Sequence, residues 1–195
     1  MTEDTTHPDT HTHALLRIDL QESLRHSAVD PRTLSRFQRI LLTTDGTVTE
    51  ILEAQFWEAI RIVKLYQELV TLGRPVPYLD LSPNARVLAR KVLLQGSDSA
   101  RNYIYAESLL VPERLEEKVR EGLLGTRKPI GQLMIETRME TFREILACRR
   151  EPAGEIGAHF GVAEDSMLIS RTYRVFGNRL PVMLITEKFP ETAFR

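Results

Sequence analysis

The sequence predicts an α+β fold, an antiparallel β-sheet built from hairpins with helices packed on it. Three features of the chain predict this. Residues 167–176 and 181–190 are apolar, aromatic and β-branched runs, and Gly177-Asn178-Arg179 between them is a turn signal, so residues 166–190 form a β-hairpin. A second pair of extended runs, 84–95 and 102–111, flanks the turn Gly96-Ser-Asp-Ser99. Around these pairs lie segments with helical apolar spacing and helix start signals, with no internal repeat and no Pro/Gly linker dividing the chain.

From the N-terminus, residues 1–14 read as a disordered polar leader and 15–195 as a single domain. Residues 15–27 carry a weakly patterned short helix. Asp30 caps and Pro31 opens a better one, with Leu34, Phe37 and Leu41 as its stripe. Asp45-Gly46 breaks the chain. Thr47 and Glu50 have capping-box spacing and open a helix to about Phe56, with Trp57 expected to pack beneath it. Residues 59–69 lean toward a strand. Pro112 opens a helix over 113–124 with Leu115, Val119 and Leu123 on one face, and Pro129 starts a helical turn over 130–136. Residues 139–149 fit a helix and a strand equally. A short helix over 155–160 ends at Gly161.

The 195 residues carry 26 basic and 27 acidic side chains, a net charge of −1 that lacks the basic excess of a nucleic-acid binder. Cys148 is the one cysteine, which excludes an internal disulfide and fits a reducing, cytoplasmic location. No apolar stretch approaches the ~20 residues of a membrane span, and the leader has no signal-peptide core. His7, His11 and His13 are isolated on that leader, so no metal site is expected.

Two charges stand where charges are costly. Side chains alternate along a strand, so Met183, Ile185, Glu187 and Phe189 share one face. Leu88, Arg90, Val92 and Leu94 share another. A carboxylate or guanidinium on an apolar face must be paired, or must line a pocket. Either Arg90 and Glu187 pair with each other, or they form an anion pocket with an acid/base group beside it. Spacing leaves both open. Tyr103 and Tyr105 are expected in the core, with Glu107 on their face as a hydrogen-bond partner.

The ordered series Thr44-Asp-Gly-Thr-Val-Thr49, Arg90-Lys-Val-Leu-Leu94 with Gly96, Tyr105-Ala-Glu-Ser108, Pro129-Ile-Gly131 and Thr186-Glu-Lys-Phe-Pro190 resembles the chorismate pyruvate-lyase family, in its mycobacterial-like branch that forms 4-hydroxybenzoate. The resemblance runs from about Leu41 to Pro190. It implies a chorismate lyase-like sheet with helices over one side, enclosing a buried ligand pocket. It implies conversion of chorismate to 4-hydroxybenzoate and pyruvate with no cofactor. By matched position it implies Arg90 at the ring carboxylate and Glu187 at the ring hydroxyl as catalytic residues. Ile130 and Gly131 then contribute to carboxylate binding through a backbone amide, and Val48 belongs to a flap over the ligand.

The chain departs from proteobacterial members at Gln132, where those carry a basic residue, and in a final strand one residue longer between its proline and its glutamate. For the second carboxylate of chorismate, Lys64, Arg171 and Arg174 are candidates. Two alternatives stay open. One is a non-catalytic binding domain for an aromatic acid, like the effector domains of bacterial regulators, whose hairpin resembles Arg174-Val175 through Pro181. The DNA-binding form of such a regulator is disfavoured by the short, weakly basic segment before Leu41. The other is a lyase giving a different hydroxybenzoate. The expected partner is a small molecule, with neither nucleic acid nor membrane, and the chain is a monomer or homodimer.

Overall fold

The computed structural model of the chain describes residues 28–125 and 130–195, apart from the side chains of Leu124, Gly125, Gln132 and Ile135. The leader with its histidines, the helix expected over 15–27, Pro129 and the Gln132 side chain therefore lie outside the described residues. The rest is organised by one six-stranded antiparallel sheet of β1 (Ile60–Thr71), β2 (Arg86–Gly96), β3 (Asn102–Leu110), β4 (Thr141–Pro152), β5 (Met167–Gly177) and β6 (Leu180–Pro190), in the order β1-β2-β3-β6-β5-β4. The β5–β6 hairpin is as expected, and β6 also pairs with β3, joining the first three strands to the last three. No helix among the described residues is long and apolar enough to cross a membrane.

Helices α1 (Arg36–Thr43), α2 (Val48–Phe56), α3 (Glu117–Gly125), α4 (Ile130–Glu136) and α5 (Gly157–Phe160) complete the fold. Their starts correct the sequence reading in three places. Pro112 opens only a 3₁₀ turn, Pro112–Arg114, and α3 begins at Glu117. Asp30 caps only a 3₁₀ turn, Pro31–Thr33; α1 begins after Ser35, whose side chain accepts from the Gln38 amide while Gln38 reaches back to Ser35. That reciprocal box satisfies two orphan donors at once and so outcompetes the earlier start. Thr47 does precede α2, but its side chain makes no cap hydrogen bond. It packs instead toward Gly131, where a Cβ would come within 2.7 Å of Thr47 Cγ2.

Trp57 also departs from expectation. It is the left-handed residue that ends α2, and it is 93% exposed. The place beneath the helix is taken by Phe56, stacked on Tyr103 with ring centroids 4.2 Å apart. Tyr103 and Tyr105 do not share a face. Leu94 pairs with Ile104 and Gln95 with Asn102, so Tyr103 is an extra residue in β3 that breaks the alternation. Tyr103 therefore meets Phe56 and donates to Glu58 at 2.5 Å, whereas Tyr105 stacks on His159 and donates to Glu107 at 2.7 Å. The ambiguous stretch 139–149 is strand from Thr141 onward, because β5 offers β4 a ladder of partners. Phe142 there is left 65% exposed.

The buried apolar residues form two clusters along the inward side of the sheet. One gathers Val92, Leu94, Ile104, Ile169 and Phe189 with α1 and α2 residues such as Leu41 and Leu52. The other gathers Leu88, Leu110, Tyr173, Val175, Met183 and Ile185 with Val119 and Leu123 of α3 and Leu133 of α4. In each central strand the inward series changes cluster at one polar side chain: Arg90 in β2, Ser108 in β3, Glu187 in β6, Arg171 in β5. The gap between two cores is where the site lies.

Candidate active site

The sheet register fixes the separation of the two charges singled out in the sequence. Arg90 is opposite Ser108, and Glu187 is opposite Ala106, so β3 lies between them and they differ by one inward row. Two interstrand steps of ~4.8 Å and one two-residue step of ~6.8 Å put their backbones roughly 12 Å apart. The floor between them is made of the small side chains Ala106 and Ser108. Large residues on both sides and small ones in the middle leave a cavity with an empty volume of ≈ 650 Å³, part of it continuous with solvent.

Val92 and Leu94 of β2, Tyr173 and Val175 of β5 and Ile185 of β6 line the walls of this cavity. Its roof comes from two segments, Gly46 through Thr49 at the start of α2, and Ile130, Gly131 and Met134 of α4. Gly131 has a steric reason to be glycine, since the α4 backbone touches Thr47 there. All five residues proposed from the sequence, Val48, Arg90, Ile130, Gly131 and Glu187, thus border one cavity.

Arg90 and Glu187 do not pair with each other. Glu187 Oε2 accepts from Arg171 Nη2 at 2.7 Å, and Oε1 accepts from the Tyr173 hydroxyl at 3.0 Å. Arg171 sits directly across the ladder from Glu187, is fully buried, and donates through Nη1 to the carbonyl of Thr44 at 2.8 Å. Its guanidinium also lies 4.7 Å from the centroid of the Tyr173 ring. Burial, the largest single influence, would pull the Arg171 pKa down, but the charge and hydrogen bond of Glu187 together with Tyr173 and Cys148 outweigh it and hold the pKa up. Burial and the Glu187 charge both push the Tyr173 phenol up, so it stays a protonated donor.

Arg90 is the opposite case. It is 4% exposed, its Nε has no hydrogen-bond partner, and no carboxylate pairs with it among the described residues. Burial pushes its pKa down to about 10. An orphan guanidinium at a cavity wall is a cation prepared for an anion that comes from outside.

Neither Lys64 nor Arg174 lines the cavity, and Arg174 Nε is spent on Glu144 at 2.5 Å. Arg171 is at the site, but both its Nη groups are taken by protein acceptors. A further cation, Arg143 of β4, does line the cavity. It was hidden by the helix–strand ambiguity of 139–149; read as a strand, that stretch puts Arg143 and Ile145 on one face.

A family model described as "Chorismate pyruvate-lyase Rv2949c-like" matches residues 42–195. The chain belongs to the Rv2949c-like chorismate pyruvate-lyase family, a family of lyases. Among its relatives is a chorismate pyruvate-lyase of Mycobacterium leprae (strain TN), 31% identical over 165 residues that cover 84% of this chain and 79% of that protein. A chorismate pyruvate-lyase of Mycobacterium tuberculosis is 28% identical over 168 residues, covering 84% of each. Among solved structures, PhnF from Mycobacterium smegmatis superposes with a TM-score of 0.58 at 12% identity, covering 75% of this chain and 64% of that one. Its separate effector domain gives 0.57 at 13% identity, covering 74% and 88%. At such identity the likeness is one of fold, and it places this lyase-family sheet beside those of regulator effector domains.

Proposed function

We propose that the protein converts chorismate to 4-hydroxybenzoate and pyruvate without a cofactor, with Arg90 and Glu187 as its principal site residues. The observation that carries this reading is the buried Arg90, without a partner among the described residues, whose backbone lies about 12 Å from that of the buried Glu187, across a floor of small side chains. That spacing suits a six-membered ring with a carboxylate at one end and a hydroxyl para to it. Arg90 grips the ring carboxylate in a bidentate fork. Glu187 accepts from the ring hydroxyl, since each carboxylate oxygen keeps a lone pair beyond the one used by Arg171 or Tyr173. Val48 and the Ile130–Gly131 backbone close over the ring from the roof.

In the reaction, the ring carbon bearing the hydroxyl loses its hydrogen as a proton. The electron pair left behind joins the ring as the neighbouring C–O bond breaks, and enolpyruvate departs and takes up a proton to become pyruvate. Aromatisation supplies the driving force, so the protein's part is to orient the ether and stabilise the developing charge. The apolar walls and the roof over the ring help by limiting the access of water.

The test is incubation of the purified protein with chorismate and chromatography of the products. Equimolar 4-hydroxybenzoate and pyruvate above the spontaneous rate are expected, and intact chorismate refutes the proposal. With Glu187→Gln, turnover is expected to fall ~10²-fold or more while affinity for 4-hydroxybenzoate changes little, as for a proton-handling group. Equal losses would leave Glu187 a binding role only.

A further inference from the structure

Arg143 is the one cavity-lining cation that the reaction scheme above does not use. Its register partner in β5 is Val175, itself a cavity residue, so the pleat aims Arg143 at the same space. It is half-buried, and its Nη1 donates to the carbonyl of Asp45, in the loop that leads into the roof. No carboxylate pairs with it among the described residues. A guanidinium carries five N–H donors, so one backbone contact leaves most of the fork available.

The charges of the cavity point to the ligand. Glu187 is balanced by Arg171, which is buried against it. Arg90 and Arg143 remain, two cations without counter-ions among the described residues, reaching in from β2 and β4 with the three strands β3, β6 and β5 between them. A cavity with a cation at each side and a neutralised pair between is complementary to a dianion whose charges lie apart. A monoanion would leave one of the two arginines uncompensated.

We infer that Arg143 binds the second carboxylate of the substrate, that of the enolpyruvyl ether, and so distinguishes substrate from product. The assignment rests on chorismate being the substrate. The ring product keeps only the carboxylate held by Arg90, and the carboxylate held by Arg143 leaves with pyruvate. Because Arg143 also holds the Asp45 carbonyl, loss of its anion is felt at the loop that feeds the roof.

The experiment is calorimetric titration of the full chain with two probes, 4-hydroxybenzoate and 3-(1-carboxyvinyloxy)benzoate, a stable dicarboxylate carrying the same ether. The proteins compared are wild type, Arg143→Gln and Arg143→Lys. Glutamine keeps a donor for Asp45 and removes the charge. It is expected to lose ~10–100-fold in affinity for the dicarboxylate, as for a charge-assisted contact, and less than ~3-fold for 4-hydroxybenzoate. Lysine is expected to recover part of the loss. In turnover, Arg143→Gln raises KM for chorismate more than it lowers kcat. Equal losses for both probes, or none for either, overturn the inference. A wild-type protein that leaves chorismate intact but still needs Arg143 for the dicarboxylate overturns the lyase reading and with it the assignment to a substrate, and leaves Arg143 only as a carboxylate-binding residue of the cavity.

Discussion

Replacing Arg90 with methionine should make the free protein more stable while abolishing its binding function. The guanidinium is buried without a partner among the described residues, and its pKa is pushed from 12.5 down to about 10. At ~1.36 kcal/mol per pKa unit, that shift corresponds to ~3 kcal/mol against the folded cation. Local relaxation reduces the gain from an apolar replacement to roughly 1–3 kcal/mol. Methionine suits the position because it is flexible and adapts to an irregular wall. For a chain of this size the gain appears as a rise in Tm of roughly 2–12 °C. The sign follows from linkage: between about 10 and 12.5 the unfolded chain binds more protons, so stability rises with pH there, and the full penalty is present at every pH below about 10. The assay is scanning calorimetry with and without 4-hydroxybenzoate. At a ligand concentration of ~100 Kd the wild type gains ~2.7 kcal/mol and Arg90→Met gains nothing, so their order of stability reverses or closes. A ligand-free Arg90→Met protein less stable than wild type would refute the reasoning, because it would mean the cation is compensated.

Arg171→Met leaves the Glu187 carboxylate buried without its counter-ion and is expected to cost ~3–5 kcal/mol in urea unfolding. Adding Glu187→Leu should recover most of that loss; additivity within ~0.5 kcal/mol would show that the two side chains do not act as a pair. At the start of β3, Tyr103→Phe removes the largest of the hydrogen bonds that hold the Glu58 carboxyl at about 2, the others coming from Ser99 and Asp98. A depressed carboxyl pKa contributes stability above its unfolded value of 4.5 that is lost as pH falls toward 2. The variant should therefore lose part of its stability at pH 6 and show a flatter decline between pH 4.5 and 2; an unchanged acid profile would place the stability elsewhere.

The four inward polar positions show how much of the site was legible. Arg90 and Glu187 are visible in the sequence because each interrupts an apolar alternation within a single strand, and strand alternation is a local property. Their relation to each other is not local. Whether they touch depends on which strands are neighbours and in what register, and β6 pairing with β3 puts a whole strand between them. The partner of Glu187 is likewise a matter of register: Arg171 is opposite it only because the hairpin pairs residue 171 with 187. Arg143 was hidden because its segment has no decisive period of its own; the ladder to β5 makes it a strand. The extra residue Tyr103 in β3 and the exposed Trp57 have the same cause, since a bulge and a left-handed helix end answer to neighbouring elements.

By itself, the sequence determined the α+β class, the C-terminal hairpin, the family and the two charged residues on apolar faces, because periodicity, turn chemistry and residue identity are written along the chain. Only the tertiary structure decided that Arg90 and Glu187 do not pair with each other, that Glu187 is matched by Arg171 and Tyr173, and that Arg143 faces the same cavity. Those facts are distances between residues far apart in sequence, and strand order and register alone set such distances.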